Sequence, residues 1–443
     1  MMNFRQYTNV TRIVIPNNIR LSTGDFNNCF YDMRTLTTSE FNHLNVNNMS
    51  NTYYSCRNLK SSPVCGDKVT NMSNAYNICY NITGSPVCGP NVTNMSNAYN
   101  WCRNLTGNFV CGNNVEDMSY AYGSCFNIIF NAVCGPNVIN MSGAYAWCSN
   151  LSGPPVCGNK VLDMSNAYNM CHNITGSSVC GPNVTNMSYA YQSCSHLDSP
   201  VCGNNVTHMS YAYNCCYNLL GPPVCGDKVQ YFYKTYENCL SLTGSPICGP
   251  NVIQMANAYY RCQWLTGSPV CGNKVTSMAY TYMNCRSLNG VSACGPNVTN
   301  MSHTYYGCVE LLAGDHYWYS PNVSNVLNCF YGKNNSRRYN IHIPANSTTF
   351  TTMLGTDATN SIIGAAITWT NAGTYYYNTA YNIYIYPEDD IENAESNAKK
   401  AILIDFEYTD NGDGTCTLTG WKRTYQGQPS TECIIPDYDW IKF

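Results

Sequence analysis

Two cysteines recur along this chain at a constant separation, and that separation limits the chemistry open to them. The first stands in a Val-Cys-Gly type of phrase at 65, 88, 111, 134, 157, 180, 202, 225, 248, 271 and 294. The second follows fourteen residues later, from Cys79 to Cys308, so that 22 of the 28 cysteines belong to these paired positions. Three roles compete: small buried hydrophobes forming two thiol ladders, disulfides, or metal ligands. A zinc site needs four convergent ligands, often in close pairs. Spacings of 14 and 9 do not supply them, only Cys215 and Cys216 are adjacent, and the seven histidines follow no repeat.

The cysteine at plus fourteen lies on an apolar stripe and is expected to point inward. Its partner follows an apolar Val in an extended segment, so alternation should turn it the opposite way and disfavour a bridge within one repeat. Equivalent cysteines in stacked repeats would lie about 4.8 Å apart, inside the bridgeable Cα range of about 4.4–6.8 Å. An unbroken ladder cannot pair every member without choosing a phase. Reduced thiols are therefore the preferred reading, with disulfides the alternative.

Nothing in the sequence arranges residues for catalysis. There is no G-x-S-x-G elbow, no phosphate-cradling glycine loop and no H-E-x-x-H. His172, His196, His208 and His303 fall at different places in the repeat. No catalytic residue, metal or cofactor is expected, and a carbohydrate-active site within 334–443 is the enzymatic alternative. Binding is better supported, because some positions vary freely inside an otherwise constant frame. They carry Trp101, Trp147, Arg261, Tyr80, Arg103, Phe126, His172, Tyr217 and Arg286, with Trp264 close by. Stacking would align these as a stripe of aromatics and arginines, residue types that dominate interaction hot spots. Trp101, Trp147, Trp264, Tyr80, Arg103, Tyr217 and Arg261 are the candidate ligand-binding residues; a drifting solvent face is the competing reading.

These residues are positioned by a 23-residue repeat, shortened once to 22 between Cys180 and Cys202. Seven residues after each first cysteine comes Met, replaced only by Phe232, and Tyr follows at plus eleven and Leu or Ile at plus seventeen. Met72, Ala75, Tyr76, Cys79 and Ile82 make an i, i+3, i+4, i+7 stripe, which predicts a short helix with Ser73 as N-cap. Ser-Pro-Val-Cys predicts a four-residue strand. Met72, Tyr76, Cys79, Met95, Tyr99, Cys102, Met118, Tyr122 and Cys125 are the predicted core. One such unit cannot bury its own stripe, and stacking neighbours does so.

The spacing V-T-N-M-S-x-A-Y-x-x-C-x-x-L resembles the BspA-like class of leucine-rich repeats over about 49–333, with Ala-Tyr where that family more often has Met-Phe. The resemblance implies an α/β solenoid of about twelve coils, each a short strand plus a short helix. It also implies a role in binding extracellular proteins and cell surfaces. The extra Val-Cys-Gly cysteine and the scarcity of leucine on the strand depart from the family pattern. Residues 1–48 read as an N-terminal cap with a decayed repeat at Phe26 and Cys29, and Pro321 to Val326 open a last partial unit with Phe330 in place of Tyr. From 334 to 443 the period vanishes. Ile341-His-Ile-Pro, STTFTTM and Tyr381-Asn-Ile-Tyr-Ile-Tyr read as strands, 388–400 as a short helix, and Asn411-Gly-Asp-Gly as a hairpin turn. This C-terminal β-rich domain would cap or attach the solenoid.

Composition narrows the partners. Net charge is −3 and only 11% of residues are charged, so no field attracts nucleic acid or an anionic membrane. No apolar run approaches the roughly 18–20 residues of a transmembrane helix. The start, MMNFRQYTNVTRIVIP, has neither the charged nor the apolar segment of a secretory signal, and the dense overlapping sequons argue against a eukaryotic secretory route. The expectation is a non-enzymatic adhesion or recognition protein with a host-surface protein or glycan, or virion proteins, as partner. Location on a phage virion as a fibre or head-decoration protein is expected, a bacterial cell surface or a structural assembly role being the alternatives and a homo-oligomer among the partners. Thiol titration of the denatured, unreduced protein should recover close to the full complement of 28 cysteines. Near-zero reactivity would establish disulfides instead.

Overall fold

The computed structural model describes residues 4, 6–7, 9–15, 24–41, 45–129, 131–394, 406–410 and 416–421. Thirteen consecutive parallel bridges run from Asp25 to Asn325, one residue per coil, through Asn48, Asn71, Asn94 and their equivalents. The molecule is thus a solenoid of fourteen stacked coils. The count exceeds twelve because the decayed copies at Phe26 and Val326 are complete coils. Met72, Tyr76, Cys79, Met95, Tyr99, Cys102, Met118, Tyr122 and Cys125 are all buried in one continuous core.

Within a coil the backbone differs from the expected helix. The N–H groups of Ala75, Asn77 and Cys79 reach back three residues to the carbonyls of Met72, Asn74 and Tyr76, forming overlapping β-turns. The alternate N–H groups, of Met72, Asn74, Tyr76 and Ile78, leave the coil and bond Asn94, Ser96, Ala98 and Asn100 of the next one at 2.8 Å. An α-helix would keep every N–H to itself. Here half of them join coils, and the turns keep the apolar residues three and four apart, which is why the stripe mimics a helix. Two residues per coil adopt left-handed backbone, such as Asn74 (φ 54°) and Ile78 (φ 65°). Ser73 is not the cap: its N–H bonds Asn71 Oδ1 at 2.9 Å, an Asx turn that opens the run.

The Ser-Pro-Val-Cys segment is no strand either, since Pro has no N–H to give to a ladder. Its Val is served by the core tyrosine. Tyr76 Oη accepts the Val64 N–H at 3.0 Å and donates to the Val64 carbonyl at 2.8 Å. The same pair of bonds recurs in each coil through Tyr305 with Ala293. The rings meanwhile form a stack from Tyr53 to Tyr305, ended by Phe30 and Phe330. Hydroxyl and ring thus do separate jobs, one within the coil and one between coils.

Both cysteine columns also differ in role. Each inner Sγ–H donates to the core aromatic carbonyl of the preceding coil, as Cys102 does to Tyr76 at 3.0 Å. Twelve such bonds run from Cys56 to Cys308. The Val-Cys-Gly cysteine was expected to face away from the core, yet Cys65 and Cys88 pack against its edge while Val64 is exposed. The tyrosine staple fixes the backbone of the Val without deciding its exposure, since Val133, Val156, Val224 and Val270 carry the same staple and pack against the core. The glycine is needed because the next coil lies directly on the sulfur: a Cβ at Gly89 would stand 2.7 Å from the Gly66 carbonyl oxygen and 3.0 Å from Cys65 Sγ. Burial pushes the Cys88 thiol up to about 11, opposed by the Gly112 N–H that faces it.

At the N-terminal end β1 (Arg12–Ile15) pairs in parallel with β2 (Thr38–Phe41), and Phe4 stacks on Phe30. Within the array the only regular strands among the described residues are the two-residue β3 (Thr175–Gly176) and β4 (His196–Leu197). The far end is closed by a sheet in the order β5-β6-β9-β8-β7. It comprises β5 (Gly314–Tyr317), β6 (Tyr339–Pro344), β7 (Thr370–Asn371), β8 (Tyr376–Asn378) and β9 (Ile383–Glu388). β5, β6 and β9 run parallel, β8 and β7 antiparallel. Ile341, Ile343, Ile383 and Ile385 face the same core as the coils. STTFTTM is not a strand but carries α1 (Thr348–Met353), capped by Ser347 Oγ accepting the Phe350 N–H. Tertiary contact overrides the β preference of threonine, since Thr349 Oγ1 bonds the Ser320 carbonyl and the Val323 N–H. Residues 391–394 begin a helical turn capped by Asp390, and β10 (Phe406–Asp410) pairs antiparallel with β11 (Cys416–Trp421). The remainder of 388–400 and the Asn411-Gly-Asp-Gly turn lie outside the described residues.

The staple is directly testable. Tyr168→Phe keeps the ring in the stack but strands both backbone groups of Val156, now bonded at 2.9 and 2.6 Å. Denaturant unfolding should show a loss of about 1–3 kcal/mol. An unchanged midpoint would mean that water replaces the hydroxyl without cost.

Candidate functional site

The freely varying positions all lie on the turn side of the coil, and the left-handed residues decide how they are displayed. The second left-handed column runs through Ile78, Trp101, Ser124, Trp147, Met170, Ser193, Cys215, Asn238, Arg261 and Asn284 to Gly307 (φ 71°) and Gly332 (φ 73°). Glycine and asparagine suit such a backbone; an ordinary L-residue is strained there by roughly 1–2 kcal/mol. Trp101 (φ 64°) and Trp147 (φ 67°) occupy it nonetheless, and their side chains remain 38% and 51% exposed. Ile78, Met170 and Arg261 adopt the same backbone, so the coil imposes it, and the two tryptophans are carried on it partly exposed.

Around Trp101 the candidates meet. The Arg103 guanidinium lies 4.9 Å from the Trp101 ring, 4.8 Å from Tyr80 and 5.8 Å from Phe126, and Phe126 meets Trp101 edge-on. The charge of Arg103 is thereby spread over three aromatic faces and buttresses the tryptophan from one side. On the other side opens a cleft of about 320 Å³ that reaches Trp147, two coils along. Trp101, Tyr120, Phe126 and Trp147 wall it, Gly123, Ser124 and Ala146 form its floor, and Asn100 its rim.

The hollow exists because small residues, Gly123 and Ser124, stand in the coil between the two tryptophans. Asn is the commonest residue in the first left-handed column, but the coil between the two tryptophans carries Tyr120 there and the coil of Trp147 carries Gly143. The Tyr120 ring occupies the space that a side chain at 143 would fill. A Cβ at Gly123 would come within 2.6 Å of Asn100 Oδ1. The sequence reading found Trp101, Trp147, Tyr80 and Arg103 but missed Tyr120, Gly123, Ser124 and Gly143. The available signal was their departure from the repeat's own consensus, which was read for large residues and not for small ones.

The other candidates do not join this cleft. Tyr217 lies five coils further along, and Arg261 and Trp264 seven, with Tyr217 46% and Trp264 60% exposed. His172 is tied to the Ser193 carbonyl and His196 to that of His172, which makes both parts of the coil framework. His208 and His303 stack on Tyr231 and Tyr280.

The C-terminal sheet holds one cluster of catalytic residue types. His342 on β6 donates through Nδ1 to Glu388 Oε1 at 2.7 Å and through Nε2 to Asp315 Oδ1 at 3.3 Å. Burial acts to lower its pKa, but the bonds to Asp315 and Glu388 outweigh that and raise it. The bond to His342 in turn holds Asp315 below its usual range. An imidazole with both nitrogens committed to carboxylates has no ring nitrogen left over for a substrate proton. Tyr317 and Tyr386 stack on its two faces, so the cluster reads as a cross-strand tie. One strand residue away, His316 is fully buried, accepts the Ser292 N–H at 2.7 Å, and is pushed down to about 4 by burial. It seals the joint between coils and sheet.

No family model matches the chain, and no curated protein matches it. Among solved structures it is similar to a leucine-rich repeat protein from Bacteroides ovatus, with 13% identity and a TM-score of 0.44 over 76% of this chain and 83% of that one. A likeness that distant carries no argument about the site. The solenoid is established by its own bridges and coil-to-coil bonds.

If the tryptophans are kept for a ligand, removing one should not harm the fold. Trp147→Gly should leave stability unchanged or raise it by up to about 1 kcal/mol in thermal or denaturant unfolding. A loss of more than about 1 kcal/mol would make Trp147 a packing residue.

Proposed function

We propose that this chain is a non-enzymatic adhesion or recognition protein that presents one face of its solenoid to a protein or glycan partner. The observation that carries the reading is the pair of exposed tryptophans, Trp101 and Trp147, held at left-handed positions around a cleft. Strained, exposed aromatics on a rigid scaffold are what a binding surface requires, because the frame pre-orders them before the partner arrives. The proposed setting is a virion surface, with the region after the last coil as the attachment. What favours it is the low-charge, Asn- and Tyr-rich composition and the closure of the coil stack by a sheet that follows the last coil. A bacterial cell surface is the alternative setting.

Labelled protein should bind cells of the cognate host, and Trp101→Gly with Trp147→Gly together should weaken that binding at least tenfold. Undiminished binding would sink the assignment of this face. Immunogold labelling separates the settings: gold on virions supports the first, gold on bacterial envelopes the second. Filaments of the purified protein without any host binding would favour a structural assembly role.

A further inference from the structure

We infer that the cleft between Trp101 and Trp147 is a subsite for one neutral pyranose ring of a glycan. The inference rests on the recognition reading above and names the ligand class for that same face. Three features point to it. The first is size. Equivalent residues two coils apart are separated by about 10 Å at a strand spacing of about 4.8 Å. Aromatic carbon contacts a ligand carbon at about 4 Å, so this gap admits one puckered ring between the walls and not two. The 320 Å³ of the cleft sits at the low end of ligand sites.

The second is charge. No Asp, Glu, Lys or Arg lines the cleft. The nearest cation, Arg103, is engaged with Tyr80, Trp101 and Phe126 behind the wall. An anionic sugar or a phosphate would find no counter-charge, and a cationic side chain no carboxylate. The third is the pairing of apolar walls with polar edges. A pyranose presents C–H faces, which suit the electron-rich face of an indole, and a girdle of hydroxyls. Asn100, Ser124 and Tyr120 bring an amide and two hydroxyl-bearing side chains to the lining, the Asn100 Nδ2 already donating to Asn97 Oδ1. An aliphatic side chain would fill the same walls but offer the Ser124 and Tyr120 hydroxyls no partner, which costs binding energy.

The test uses the full chain on an array of neutral, sialylated and sulfated glycans, followed by calorimetry with the best neutral oligosaccharide. Trp101→Gly and Trp147→Gly should each weaken that binding at least tenfold, while Trp264→Ala leaves it unchanged. Ser124→Phe, which fills the floor without removing a wall, should abolish it and keeps the test valid if a glycine variant misfolds. Binding of charged glycans alone, or equal affinity in all variants, overturns the inference. If no glycan binds but attachment to enzymatically deglycosylated cells persists and still depends on Trp147, the sugar assignment fails and the recognition surface stands, its partner being a protein. Attachment indifferent to every variant removes both.

Discussion

Every second N–H from Met72 to Ile78 leaves its own coil to find a carbonyl in the next. The rest of the structure depends on this division. A coil so built holds only half of its turn bonds internally and cannot persist alone, whereas each neighbour added satisfies four donors at once. Stability is then a sum over nearest-neighbour interfaces, and folding propagates along the array. The division also requires the chain to reverse peptide direction repeatedly, which is why two residues in each coil are left-handed.

Other features are answers to the same demand. Coils stacked at hydrogen-bonding distance leave no room for a side chain over the outer cysteine, so glycine follows it. The extended segment, having no ladder of its own, takes its hydrogen bonds from the tyrosine hydroxyl. The inner thiol adds a bond to a carbonyl that already serves a turn, a place where a larger polar group would not fit. At the ends of the array the substitutions are consistent: Phe30 and Phe330 keep the ring stack and drop the hydroxyl. Lys333 stands where the thiol ladder would continue, its ammonium against the Tyr339 ring and the Tyr381 carbonyl.

A frame this regular makes departures from it legible. The cleft is built by deviation alone: Trp where the backbone prefers Gly or Asn, and Gly where the neighbouring ring needs room. Because each coil is fixed by its neighbours on both sides, the strain of a left-handed tryptophan is absorbed without distorting the stack. A shorter or less cooperative scaffold would relax it, and the aromatic walls would lose their spacing.

The repeat, its period and the buried columns follow from sequence alone, because apolar residues recurring every 23 positions have to be buried together and only stacking does so. The presence of exposed Trp101, Trp147 and Arg103 could also be read there, as variation inside a constant frame. The conformation of the coil could not. Met72, Ala75, Tyr76 and Cys79 are spaced as well for turns as for a helix, and the choice falls to N–H groups whose partners lie in another coil. Local spacing carries no record of them. For the same reason the inward turn of Cys65, the helix at Thr348–Met353 and the hollow over Gly123 belong to the tertiary structure. Each is set by what a residue 12 to 29 positions away supplies or leaves empty.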